Sequence, residues 1–132
     1  MTPSRLFVAV VDDDASVRKA LSRLLRASGY EVEAFASGTE FLESARAGAV
    51  DCLVLDVHMP ALSGLDVQAV LQARGLPVPI IFITAYDDNA LRERALEQGA
   101  VTYLRKPLTE QTLLAAIATA VDRKRAHGAT PA

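Results

Sequence analysis

The sequence predicts a doubly wound α/β domain, with five parallel strands in the order 2-1-3-4-5 and helices on both faces of the sheet. Three observations predict it. Short apolar runs at 6–11, 52–55, 80–83 and 101–104 have the length and continuity of strands buried on both sides. The stretches between them carry apolar residues at helical spacing. Polar residues then follow the runs: Asp12 and Asp13, Asp56, Thr84 and, after Arg105, Lys106. That is where an open α/β sheet gathers its ligands.

Each element has its own warrant. The first run ends in Asp12-Asp13-Asp14, and residues 15–28 carry Val17, Leu21, Leu24 and Leu25 on one stripe. Asp14 suits the start of that helix and Gly29 its stop. Residues 30–35 alternate polar and apolar; this strand is the most polar and suits an edge. Ser37 and Glu40 have capping-box spacing ahead of a helix with Phe41, Leu42 and Ala45. The third strand, 50–55, runs into Asp56. Pro60 and Gly64 bracket a loop, and Leu65, Val67, Val70 and Leu71 mark the next helix. Gly75, Pro77 and Pro79 lead to the fourth strand. Residues 87–98 read as a helix anchored by Leu91 and Leu96 and stopped by Gly99. Few large apolar residues hold it, as a moving element requires. After the fifth strand, Thr109 opens a helix with Leu113, Leu114, Ile117 and Val121 on one face. The domain is read as 1–125, with 126–132 a frayed tail or the start of a linker.

The whole-chain numbers narrow the classes of function. Of 132 residues 51% are hydrophobic, which excludes a disordered chain and fits one domain. A net charge of −2, with basic clustering noted only at Arg123-Lys124-Arg125, gives no electrostatic case for nucleic-acid binding. Cys52 is the single cysteine, so disulfide frameworks and cysteine-rich zinc sites drop out. The first apolar run breaks at Asp12, too soon for a signal peptide or a membrane span. A cytoplasmic protein is expected.

The switch point of a 2-1-3-4-5 sheet falls between the first and third strands, where Asp12, Asp13 and Asp56 emerge. Carboxylates crowded together repel one another unless a cation intervenes. Mg²⁺ fits such an oxygen set, because it binds through one or two carboxylates, several waters and a phosphate oxygen. Asp56 stands alone on the central strand and is the candidate nucleophile for an aspartyl-phosphate. Lys106 is placed to pair with Asp56 at rest and with a phosphoryl oxygen afterwards. Thr84 offers a hydroxyl to the same group.

These residues together resemble the receiver domain of two-component response regulators, and the match runs from about residue 6 to residue 123. Asp12-Asp13 meets the family's acidic pair. Asp56-Val57-His58-Met59-Pro60 with Gly64 meets the acceptor and the loop after it. Thr84-Ala85 meets the switch hydroxyl, Tyr103 the switch aromatic, and Lys106-Pro107 the Lys-Pro pair. The wording of residues 52–56 and 81–84 is most similar to FixJ-type transcriptional regulators. The resemblance implies a flavodoxin-like fold and a cis Lys106–Pro107 bond. It also implies an Mg²⁺ site in which Asp13 ligates directly, Asp12 acts mostly through water, and the His58 backbone carbonyl joins Asp56. The side chains of His58 and Tyr86 occupy the variable positions that tune dephosphorylation.

The function expected is a phosphoacceptor switch rather than an enzyme. A sensor histidine kinase supplies the phosphoryl group to Asp56. The face formed by the fourth helix, fifth strand and fifth helix then changes, controlling homodimerisation or an output such as transcription. The chain itself is expected to bind neither nucleic acid nor membrane, and is either a stand-alone receiver or one cut from a longer regulator. The alternative is an Mg²⁺-dependent phosphatase with an aspartate nucleophile, which needs an acid two residues after Asp56, where His58 stands. A nucleotide or flavin module lacks its G-x-G-x-x-G or P-loop.

Overall fold

Successive strand residues face opposite sides of a sheet, so a strand made wholly of apolar residues needs cover on both faces. The computed structural model, which describes residues 5–129, supplies that cover. Strands β1 (Phe7–Val11), β2 (Glu31–Phe35), β3 (Cys52–Asp56), β4 (Ile80–Thr84) and β5 (Thr102–Arg105) form one parallel sheet in the order β2-β1-β3-β4-β5. The helices are α1 (Ala15–Ala27), α2 (Gly38–Glu43), α3 (Gly64–Ala73), α4 (Asn89–Glu97) and α5 (Glu110–Ala129). Val8, Val10, Val54, Ile81 and Ile83 meet Leu21 and Leu25 of α1 and Leu113 and Ile117 of α5 on one face. Ala9, Val11, Leu53, Leu55 and Phe82 meet Phe41, Val67, Leu71 and Ala95 of α2, α3 and α4 on the other. Each fully buried aliphatic side chain contributes about 1.5–3 kcal/mol, so the two layers dominate stability.

Register fixes the upper rim. Val11 lies opposite Leu55, Asp56 opposite Ile83, and Thr84 opposite Arg105. The residues that follow these pairs therefore leave the sheet at one level. At the free edge, the outward carbonyl of Val32 in β2 accepts a hydrogen bond from Arg26 Nη2 of α1 at 3.1 Å.

Several expectations need correction. Leu96 does not anchor α4; it is 36% exposed, and its neighbour Ala95 is fully buried instead. Successive residues of a helix lie about 100° apart, so the buried stripe of α4 passes through Ala95 and leaves Leu96 at the surface. The helix after Ser37 ends at Glu43, short of Ala45, because Ser44 is extended; a single 3₁₀ turn follows at Ala47–Ala49. Glu40 reaches back to the amide of Ala36 rather than that of Ser37, although Ser37 Oγ does accept from Glu40. The last helix continues past Arg125 to Ala129, where a frayed tail was expected, and residues 130–132 lie outside the described ones. Finally, Arg123-Lys124-Arg125 is not the only basic cluster. Arg18, Lys19, Arg23 and Arg26 of α1 line one open groove with Ser22, Glu33 and Ala34, brought together by the helical repeat.

Candidate functional site

The β1–α1 turn delivers the acidic pair. Asp14 caps α1, its carboxylate accepting from the amides of Ser16 and Val17, so it takes part in the helix rather than the site. Asp12 is buried and accepts from the Asp14 amide at 2.9 Å, while Asp13 beside it is exposed. β3 delivers Asp56, 5% exposed, whose Oδ1 accepts from the His58 amide at 3.2 Å. Carboxylate oxygens of Asp12, Asp13 and Asp56 all lie within 4.8 Å of one another. Lys106 enters from the end of β5. Its Nζ is 2.9 Å from Asp12 Oδ2 and 3.7 Å from Asp56 Oδ2, so Asp12, and not Asp56 as expected, is its nearer partner. The Lys106–Pro107 bond is cis.

Charge in this cluster does not balance. Burial, and then the Asp12 carboxylate, push the Asp56 carboxyl up to about 6, although Lys106 pulls the other way. Burial works against the Lys106 ammonium, but Asp12 and Asp56 outweigh it and hold its pKa above the ordinary lysine value. Asp12 Oδ2 is buried, and its charged neighbour is the Lys106 ammonium at 2.9 Å. Three carboxylates that a single ammonium leaves un-neutralised form an oxygen donor set suited to a hard divalent cation.

The loop after β3 is shaped by a close approach. A Cβ on Gly64 would lie 2.6 Å from the Asp56 carbonyl oxygen and 3.0 Å from Phe82. Only glycine lets α3 begin this near the strand end. Ser63 and Asp66 cap α3 reciprocally, in a capping box closed by Asp where Glu or Gln is the usual partner. Ala61, at φ 66°, takes the left-handed turn the loop requires.

Two further pairs flank the acidic trio. Thr84 is fully buried, and its Oγ1 accepts from the Tyr86 amide at 3.0 Å. Tyr103 packs its ring against Phe82, with centroids 6.2 Å apart. Its hydroxyl is buried without an aligned partner, and burial raises its pKa while the Thr84 hydroxyl opposes that shift. His58 and Tyr86 meet edge to face, with ring centroids 5.0 Å apart and planes at 84°, and Tyr86 is 62% exposed. The two residues named as a tuning pair are thus in contact. Arg18 gave no signal in the sequence, yet its Nη1 donates to the Asp12 backbone carbonyl at 2.8 Å. A contact to a main-chain oxygen leaves no pattern of residue types to read.

A family profile described as the response regulator receiver domain matches residues 8–118. The chain is 45% identical over 122 residues to nodulation protein W of Bradyrhizobium diazoefficiens, covering 92% of this chain and 54% of that protein. It is 36% identical to the transcriptional regulatory protein FixJ of Azorhizobium caulinodans, covering 96% of this chain and 60% of that one. The crystal structure of a response regulator receiver domain protein from Clostridium thermocellum matches with a TM-score of 0.82 at 32% identity, covering 91% of this chain and 97% of the other. The chain spans about half the length of the curated relatives it matches, such as nodulation protein W.

Proposed function

The chain belongs to the response regulator receiver domain family of two-component signalling, and from that premise we propose that Asp56 is the phosphoacceptor of a switch driven by a sensor histidine kinase. The observation that carries this reading is the convergence of Asp56 with Asp12, Asp13 and the Lys106 ammonium at one rim of the sheet. An oxygen of Asp56 attacks the phosphorus of a phosphohistidine. The new O–P bond forms as the P–N bond breaks, and the imidazole leaves with the electron pair and takes up a proton. Asp12, Asp13, Asp56 and the His58 carbonyl would hold Mg²⁺, which supplies positive charge to the phosphoryl oxygens when bound. Lys106 turns from Asp12 toward a phosphoryl oxygen, and the Thr84 hydroxyl donates to another.

The switch follows from what Thr84 gives up. Its Oγ1 now accepts from the Tyr86 amide, and turning toward a phosphoryl group releases the loop that leads into α4. Tyr103, with an unpartnered hydroxyl beside it, is the aromatic that responds. The face of α4, β5 and α5 is then biased toward a second copy or an output, and relatives named as transcriptional regulators suggest transcription. His58 and Tyr86 stand edge to face beside the site and restrict the water that hydrolyses the acyl phosphate.

Incubation with acetyl phosphate and Mg²⁺ followed by intact mass tests the reading. One phosphoryl group should be gained by the wild type and none by Asp56→Asn; gain by the variant would overturn the assignment. Replacing His58 and Tyr86 together by alanine should shorten the phosphate lifetime several-fold. An unchanged lifetime would remove their tuning role.

A further inference from the structure

We infer that Arg18 is a positioning residue that fixes the turn carrying Asp13, and so sets the affinity of the acidic pocket for Mg²⁺. This rests on the reading of the acidic trio as a cation site. The Asp13 carboxylate is exposed and has no hydrogen bond or ion pair among the described residues. Its direction is therefore set by the backbone on which it rides. That backbone is closed into a ring of three hydrogen bonds. The Asp14 amide donates to Asp12 Oδ1 at 2.9 Å, the Arg18 amide donates to the Asp14 carbonyl at 3.0 Å, and Arg18 Nη1 donates to the Asp12 carbonyl at 2.8 Å. Asp13 lies inside the ring, and among the described residues the guanidinium is the only side-chain donor that closes it.

The sign of the effect separates positioning from charge. Arg18 is a cation near three carboxylates, so by Coulomb's law alone its removal should tighten binding of another cation. Loss of the ring should loosen it, because outer groups that orient metal ligands are worth roughly 10–100-fold in affinity. Positioning and electrostatics thus predict opposite directions. Lys19, next along α1 and exposed, serves as the charge-only control, since its side chain makes no hydrogen bond or ion pair among the described residues.

Titration of the metal-free protein with Mg²⁺ by calorimetry tests this. Arg18→Met should weaken Mg²⁺ binding about tenfold, while Lys19→Met should leave it unchanged or slightly tighter. Unchanged or tighter binding in Arg18→Met would overturn the inference, as would an equal loss in Lys19→Met. Urea unfolding in EDTA gives a second readout. A lower midpoint with an unaltered Mg²⁺ affinity marks Arg18 as a support of the fold only, and counts against the proposal. Should Arg18→Met fail to fold, Arg18→Lys carries the test: it keeps the charge at shorter reach, so weaker binding supports positioning and wild-type affinity overturns it. A wild type that binds no Mg²⁺ would instead overturn the reading of the pocket itself.

Discussion

An aspartate at 5% exposure, with the buried Asp12 carboxylate beside it, keeps its proton to a higher pH than an ordinary one. The folded chain therefore binds this proton more tightly than the unfolded chain. The stability it contributes is fully present below the ordinary aspartate value near 3.8 and is lost as pH rises through about 6. Without Mg²⁺ at pH 7.5, Asp56→Asn should accordingly be more stable than the wild type, by on the order of 1–3 kcal/mol. That gain should disappear near pH 3.5. Urea unfolding in EDTA at both pH values reads it, and a variant less stable at pH 7.5 would show that Lys106 outweighs the repulsion. The same residues illustrate what a sequence discloses. Asp12, Asp13, Asp56, Thr84 and Lys106 were legible because each follows an apolar run, and strand register then carries them to a common rim. The pairing of Lys106 with Asp12 was not, since both acids lie within its reach and only coordinates rank them.

At the scale of elements, the loop from β3 to α3 holds two backbone positions of opposite character. Ala61 carries a side chain at φ 66°, where a Cβ costs about 1–2 kcal/mol. Gly64 lacks one where it would collide with the Asp56 carbonyl. Ala61→Gly should leave stability unchanged or raise it by up to about 1 kcal/mol. Gly64→Ala should lower it by about 1–3 kcal/mol and slow phosphorylation of Asp56. Thermal unfolding and acetyl phosphate kinetics check both; a tolerated Gly64→Ala would mean that α3 can slide outward at little cost. Helix ends were legible wherever a cap or stop residue is local, as with Asp14 and Gly29. Buried polar contacts were not. Gln68 of α3 is 4% exposed and donates to the Ala95 carbonyl of α4 at 3.1 Å, but a glutamine in an apolar stripe reads as a solvent position until its partner is seen.

Across the whole molecule, stability is distributed unevenly. Every residue of β1, β3 and β4 is buried, whereas α4 commits only Ala95 fully to the core. Opening free energies should follow that ranking. Native-state hydrogen exchange should find the amides of β1, β3 and β4 the last to exchange and those of α4 among the first. Equal protection of α4 and β4 would contradict the assignment of α4 to the moving face. Fold class and strand order were legible because apolar runs and helical stripes are collective signals that survive local errors. The length of the final helix was not, because its last residues have too few apolar positions to set a period.

The guanidinium of Arg26 on the Val32 carbonyl has a bearing on how copies of this chain can meet. A visiting strand aligned along β2 would find one rung of its ladder already taken. Growth by lengthening the sheet is disfavoured at that margin, and encounters between molecules are steered toward their helical flanks.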